Sequence, residues 1–273
     1  MSSWINGRAA TGIDHRDRGL QYGDGVFETM RVAQGRIRLL DYHLQRLYEG
    51  CRRLGIRAPE AGKLKRELVK HAAPRAAAVL KLIVTRGIGA RGYLPSGQER
   101  CTRVISLHRL PQRPARAALE PQHLRMCRTP LGANPALAGL KTLNRLESVL
   151  ARAEWRDARV WDGLMSDADG NVISGTMSNF FITRGPFLLT PMLDRCGVAG
   201  VMRRWVLEQA AALGLRALEG RLRWEELGAA EEVFATNAVA GIVPIAVIQR
   251  GGDRIAFAHT QTAARLHARL ELL

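Results

Sequence analysis

The sequence predicts an α+β fold divided into two domains, and three observations carry that expectation. Strand-like and helix-like runs are mixed along the chain without a strict βαβ rhythm. A stretch rich in proline and arginine, RLPQRPARAALEPQ at 109–122, interrupts them before the midpoint. A length of 273 residues with 47% hydrophobic content is enough for one large core or two smaller ones. The expected division is a smaller N-terminal α+β domain over residues 1–112, a linker over 113–122, and a larger C-terminal α+β domain over 123–273.

In the first part, Val26 to Val32 and Ile37 to Leu40 read as strands joined by the turn Gln34-Gly35. Asp41 stands where a helix N-cap would be, and Leu44, Leu47, Tyr48, Cys51 and Leu54 follow at helical spacing. A second helix covers the charged run around Leu64 to Val69, and Ala78 to Thr85 and Thr102 to Leu107 read as strands. The second part opens with a strand near Leu124 and the irregular stretch LGANPALAGL. Leu146, Val149, Leu150 and Ala153 then mark one helix face. Val160 to Met165 and Val172 to Ile182 read as a strand pair around the turn Asp169-Gly170. A helix from about Gly200 to Leu213, strands near Val233 and Ile242, and a last helix from about Thr260 to Leu270 complete the chain.

Composition narrows the function. No apolar run reaches the length needed to span a bilayer, and the opening MSSWINGRAA lacks the charged and apolar regions of a secretory signal. The four cysteines are far apart and form no paired metal spacing, so they read as reduced, mostly buried thiols of a cytoplasmic protein. The formal net charge of +16 invites a nucleic-acid reading. The basic residues are scattered, however, without the aromatic interleaving that stacks on bases, and attraction of an anionic small substrate is the simpler account. The seven histidines are dispersed, and none pairs with a partner at metal-ligand spacing.

Gly87, Gly89 and Gly92 in RGIGARG match a dinucleotide-binding fingerprint, but Tyr93-Leu94-Pro95-Ser96-Gly97 cannot open the helix that this fingerprint requires. A loop carrying Arg91 towards a substrate anion fits the stretch better. Lysine is scarce against a large excess of arginine. Lysine can lose its proton and attack a carbonyl, which arginine effectively cannot, so a retained lysine raises a question. Lys63, Lys65 and Lys70 belong to a solvated helix face. Lys141 sits between ANPALAG and a helix beginning near Asn144, flanked by Leu140 and Leu143. A helix dipole and apolar neighbours would both favour its neutral amine, although spacing alone favours a surface lysine beside a helix start. Gly197-Val198-Ala199-Gly200 precedes a helix and, together with an arginine such as Arg46, could cup a phosphate.

Taken together, the stretches DRGLQYGDGVFETMRV (17–32), HLQRL (43–47), LKTLNRLE (140–147), GNVISGTMSNFF (170–181), LDRCGVAGVMRR (193–204) and ATNAVAGIVPI (235–245) resemble the class IV aminotransferase family. They occur in that family's order and span nearly the whole chain. The resemblance implies a two-domain, fold type IV, pyridoxal 5′-phosphate-dependent enzyme of the D-amino acid aminotransferase-like kind, usually a homodimer. It implies that Lys141 bonds the cofactor and later moves protons, that Arg46 and the backbone amides of Val201 and Met202 hold the phosphate, and that Ser174 and Ala238 line the cofactor site. It further implies that Thr29 stands close to the reacting carbon and that Tyr22, Arg91, Tyr93 and Asn237 meet the substrate.

Within the family, Phe27-Glu28-Thr29 and the Arg91-Gly92-Tyr93 loop resemble the lyase branch, whereas branched-chain transaminases tend to carry glycine in place of Thr29. The implied reaction is conversion of 4-amino-4-deoxychorismate to 4-aminobenzoate and pyruvate for folate synthesis, with transient contact to the aminodeoxychorismate synthase as a further expectation. The alternative within the family is a branched-chain or D-amino acid transaminase. Two departures stand out. Ser174 replaces the usual glutamate that keeps the pyridine nitrogen protonated, and a hydroxyl can only hydrogen-bond there. Ala238 replaces a hydroxyl residue near the phosphate, a loss of about 1 kcal/mol.

Overall fold

The computed structural model of the chain describes residues 2–111 and 119–272. Contacts divide it into two compact units: 1–112 with 140–144, and 113–139 with 145–273. Residues 113–118 of the expected linker lie outside the described residues, and its last residue, Gln122, already begins a strand.

The first unit contains β1 (Ser2–Ile5), β2 (Arg8–Ala9), α1 (Arg18–Tyr22), β3 (Gly25–Ala33), β4 (Arg36–Ile37), α2 (Leu40–Leu54), α3 (Ala61–Ala72), β5 (Ala77–Thr85) and β6 (Thr102–His108). Its six strands run in the order β2-β1-β6-β5-β3-β4, and every pair is antiparallel. Period-two alternation sends Val26, Met30 and Val32 from β3 and Leu80, Leu82 and Val84 from β5 to one face. There they share a core with Leu44, Leu47 and Cys51 of α2 and Leu64 and Leu68 of α3.

The second unit contains β7 (Gln122–Met126), α4 (Leu146–Arg152), β8 (Val160–Ser166), β9 (Val172–Gly175), β10 (Asn179–Arg184), β11 (Phe187–Pro191), α5 (Val201–Gln209), β12 (Arg216–Gly220), α6 (Trp224–Leu227), β13 (Glu232–Asn237), β14 (Gly241–Arg250), β15 (Asp253–Ala256) and α7 (Gln261–Leu270). Its sheet runs β12-β11-β10-β13-β14-β7-β8-β9, with β15 added to β14. The pairs β11/β12, β14/β7 and β7/β8 are parallel, so the sheet is mixed. Phe180, Ile182, Val233, Ala235, Val243 and Ile245 pack together in one of its cores. Both units are therefore α+β, as the sequence predicts.

Several elements differ from the sequence reading. The expected strand Ile37 to Leu40 ends at Ile37 because Leu39 takes a left-handed conformation (φ 53°) and serves as the N-cap of α2. Asp41 lies in the first turn of that helix instead of capping it. The expected strand Val172 to Ile182 is broken at Thr176–Ser178, where the buried Asp162 accepts hydrogen bonds from the hydroxyls of Thr176 and Ser178. The helix expected near Asn144 starts at Leu146, and the one expected to run to Leu213 ends at Gln209, followed by a 3-10 turn.

Candidate functional site

Within the first unit, the segment carrying Lys141 runs alongside the first half of β3. The amide of Phe27 donates to the carbonyl of Lys141 (3.0 Å), and the amide of Leu143 donates to the carbonyl of Gly25 (3.0 Å). Thr142 makes an antiparallel bridge with Val26. This pairing sets the Lys141 ammonium nitrogen 4.3 Å from the centre of the Phe27 ring. Phe27 and Thr29 lie on the sheet face opposite the core by alternation, and Lys81 of β5 stands directly across from Thr29. Cross-strand partners share a face, and the Lys81 nitrogen is 5.4 Å from the same Phe27 ring. An amine, a hydroxyl and a second cation are thus arranged along one sheet face. Because α4 starts at Leu146, Lys141 lies outside its first turn. The apolar partner is therefore Phe27, and the dipole contribution read from the sequence falls away.

Glu28 points the other way, into the core beside α2. It accepts from Nε of Arg46 (2.8 Å) and from Nη2 of the same residue (2.5 Å), and it faces Nδ1 of His43 at 2.5 Å. Burial pushes the Glu28 carboxyl up, but the Arg46 charge and the hydrogen bonds from His43 and Arg46 outweigh it and bring the value down to about 2. Burial also lowers the His43 pKa, against the pull of Glu28. The group is an ionised carboxylate, a neutral imidazole and an arginine. Since an ionised carboxylate only accepts, His43 must donate from Nδ1. Arg46 is thereby held by a bidentate contact that fixes the plane of its guanidinium.

The substrate residues expected from α1 and the glycine-rich loop also come together within this unit. The hydroxyl of Tyr22 accepts from the amide of Gly92 (3.2 Å), and the Tyr22 and Tyr93 rings are 5.5 Å apart. Arg91 and Tyr93 are exposed. Glycine is required at Gly87, where φ is +102° and a Cβ would lie 1.9 Å from the carbonyl oxygen of Arg100. The glycines of RGIGARG serve this tight loop, and no helix follows them, which removes the dinucleotide reading.

In the second unit, Gly139, two residues before Lys141 in the chain, donates to the carbonyl of Gly197 (3.0 Å) and accepts from Ala199 (2.9 Å). This pins the loop that leads into α5. Gly200 is the N-cap of α5, no side chain caps it, and the first turn contains Val201 and Met202. A Cβ on Gly200 would meet the side-chain oxygen of Asn179 at 2.0 Å. Asn179 is opposite Thr236 in the β10/β13 register, and Thr236, 1% exposed, has a buried hydroxyl with no hydrogen-bond partner. An uncapped helix N-terminus, a backbone kept bare by glycine and an unsatisfied hydroxyl one cross-strand neighbour away suit a phosphate.

Ser174 is buried in β9, and its hydroxyl donates to the carbonyl of Gly175 (3.1 Å). The side-chain oxygen of Asn237 accepts from the amides of Val239 (3.0 Å) and Ala240 (2.7 Å), so Asn237 shapes the turn that contains Ala238. Among the described residues no cluster suited to a metal ion occurs, and no helix is long and apolar enough to cross a membrane.

Sequence reasoning passed over Lys81, Glu28, His43 and Thr236. Lys81 could have been found, being one of few lysines and the only one inside a strand-like run. The other three depend on register and packing that no local pattern carries.

The class IV amino-transferase family model matches residues 25–248. A crystal structure of 4-amino-4-deoxychorismate lyase from Pseudomonas aeruginosa superposes with a TM-score of 0.91 and 43% identity, covering 98% of each chain. Aminodeoxychorismate lyase from Vibrio harveyi is 33% identical over 267 residues, 98% of each chain. D-alanine aminotransferase from Bacillus licheniformis is 28% identical over 251 residues, 88% of this chain and 84% of its own.

Proposed function

We propose, since the chain belongs to the class IV aminotransferase family and has its fold type IV architecture, that it is a pyridoxal 5′-phosphate-dependent lyase converting 4-amino-4-deoxychorismate to 4-aminobenzoate and pyruvate. The observation that carries the reading is the alignment of Lys141, Thr29 and Lys81 along one sheet face around Phe27. It combines a proton-transferring amine, a hydroxyl and a cation for a carboxylate. The whole-length likeness to the two lyases supports the same substrate.

In this reading Lys141 holds the cofactor through its amine, and Arg46, the amides of Val201 and Met202 and the hydroxyl of Thr236 hold its phosphate. Ser174 meets the pyridine nitrogen, and Ala238 lies beside the phosphate without contributing a hydroxyl. The bound cofactor would draw electrons from the carbon bearing the substrate's nitrogen, so that the proton there becomes removable. Lys141, with its amine free, would take that proton and hold it for the later transfer. The Phe27 ring, 4.3 Å from the amine, fixes where that nitrogen stands on the sheet face. The ring C–O bond to the enolpyruvyl group would then break as the former C–H electron pair completes the aromatic ring, and the departing enolpyruvate would take a proton on its methylene carbon, with the Thr29 hydroxyl assisting, to become pyruvate. Lys81 and Arg91 pair with the substrate carboxylates, and Tyr22, Tyr93 and Asn237 shape the space around the ring.

The assembly proposed is a homodimer working in the cytoplasm, receiving substrate in transient contact with the aminodeoxychorismate synthase. The test is formation of 4-aminobenzoate from 4-amino-4-deoxychorismate with no 2-oxo acid present. A lyase gives equal amounts of 4-aminobenzoate and pyruvate. A branched-chain or D-amino acid transaminase gives neither, and instead consumes leucine or D-alanine once a 2-oxo acid is supplied.

A further inference from the structure

Arg18 is 3% exposed, although it carries a guanidinium and lies at the first position of a short surface helix. Each edge of its fork has a partner. Nε donates to Asp24 (3.0 Å), Nη1 to the carbonyl of Gly92 (2.8 Å) and Nη2 to the carbonyl of Tyr93 (2.7 Å). Its guanidinium carbon lies 4.8 Å from the centre of the Tyr22 ring. Asp24 is itself fixed by Arg86, which donates to both of its carboxylate oxygens and also to the carbonyls of Leu54 and Gly55. The stem of Arg18 packs on Gly89, where a Cβ would come within 2.7 Å of its Cδ. The arginine therefore ties the Arg91–Tyr93 loop to α1 and, through Asp24 and Arg86, to the C-terminus of α2.

We propose that Arg18 is a positioning residue for the substrate: it sets the loop whose Arg91 receives a substrate carboxylate, a role that rests on the lyase reading above. Two carbonyls at an angle and a carboxylate require a planar fork. A lysine ammonium keeps the charge but cannot satisfy all three partners from a single nitrogen. Beyond Arg18, the loop is held by the Tyr22 hydroxyl and ring and by Glu99, which accepts from the amides of Ser96 and Gly97, while Tyr93 and Leu94 are largely exposed.

The experiment compares wild type, Arg18→Lys, Arg91→Gln and the double variant, all as holoenzyme. In Arg18→Lys, amide exchange over residues 88–97 is expected to rise about tenfold while β3 and β5 keep their protection. KM for 4-amino-4-deoxychorismate is expected to rise about tenfold with kcat within about twofold, and in the Arg91→Gln background the same change should alter KM by less than about twofold. Gly89→Ala, which pushes on the Arg18 stem, should reproduce the pattern more weakly, and it decides the matter if Arg18→Lys does not fold. Unchanged exchange in the loop overturns the proposal. So does faster exchange with an unchanged KM, or an equal rise in KM with and without Arg91. If the wild type releases no pyruvate, the lyase reading fails, and the exchange measurement still decides whether Arg18 sets the loop.

Discussion

Glu28 is a carboxylate at 1% exposure between a neutral histidine and an arginine, and its energetics follow from that placement. Its folded pKa of about 2 lies below the ordinary 4.5, so its contribution is complete above pH 4.5 and is lost as the pH falls towards 2. That difference corresponds to roughly 3 kcal/mol. His43 acts in the same direction. Its lowered pKa leaves it neutral in the fold while the unfolded chain takes up a proton below about pH 6.5. Glu28→Gln should therefore cost several kcal/mol at pH 7, where Arg46 and His43 lose their partner, and the deficit should shrink at pH 3, as read by chemical denaturation at both values. A deficit independent of pH would mean that Glu28 is not ionised in the fold. The proposed function also gives Ser174 a role that can be tested. Its hydroxyl is already bonded to Gly175, so a pyridine nitrogen would meet a weak partner and stay largely neutral. Ser174→Glu should raise transamination of D-alanine relative to elimination by about tenfold or more, measured as alanine consumed against pyruvate released from 4-amino-4-deoxychorismate. An unchanged ratio would remove Ser174 from the account of specificity. The proposed site residues Lys141, Thr29 and Ser174 are singled out by sequence because they stand inside recognisable stretches. Glu28's partners could not, because His43 and Arg46 reach it only through the packing of α2 on the sheet.

The elements most legible in the sequence are those whose pattern is local. β3, β5, α2 and α7 show clean alternation or helical spacing, and their bounds agree with the reading to within a few residues. The strands β1, β2, β11, β12 and β15 escaped it, because two to five residues are too few to display a period. Distance in sequence hides the pairing of residues 140–144 with β3, which positions Lys141. Leu39, at φ 53°, is a conformation that a leucine sequence does not advertise. The glycine-rich loop is the opposite case. Its glycines signal a constraint, and Gly87 meets it with a positive φ and almost no clearance from Arg100. Gly87→Ala should destabilise the protein by about 2 kcal/mol or more and raise KM through the displaced loop. Thermal denaturation with steady-state kinetics checks this, and a wild-type KM in the variant would separate the loop from substrate binding.

At the scale of the whole molecule, the division at residue 139 has a chemical meaning. The five residues 140–144 belong to the first unit, while the chain on both sides of them belongs to the second. The proposed cofactor lysine is therefore tied to elements distant in sequence, and no fragment cut at the proline- and arginine-rich stretch contains all of its supports. The net charge of +16 suits a dianionic substrate. The helix face read as apolar in the sequence is exposed, with Leu146 at 76%, Val149 at 60% and Leu150 at 61%. Three large apolar side chains on one exposed helix face are what a second copy would cover. Val149→Glu with Leu150→Glu should convert the expected dimer to monomer in light scattering after size exclusion, and a dimer that persists would place the interface elsewhere. The central claim concerns Lys141, and the most direct test is pyruvate release from enzymatically generated 4-amino-4-deoxychorismate by the cofactor-loaded protein, beside Lys141→Ala. Steady release by the wild type, with a loss of at least about a thousandfold in the variant, is the result this account expects. Equal release by both proteins, or none by either, would contradict it.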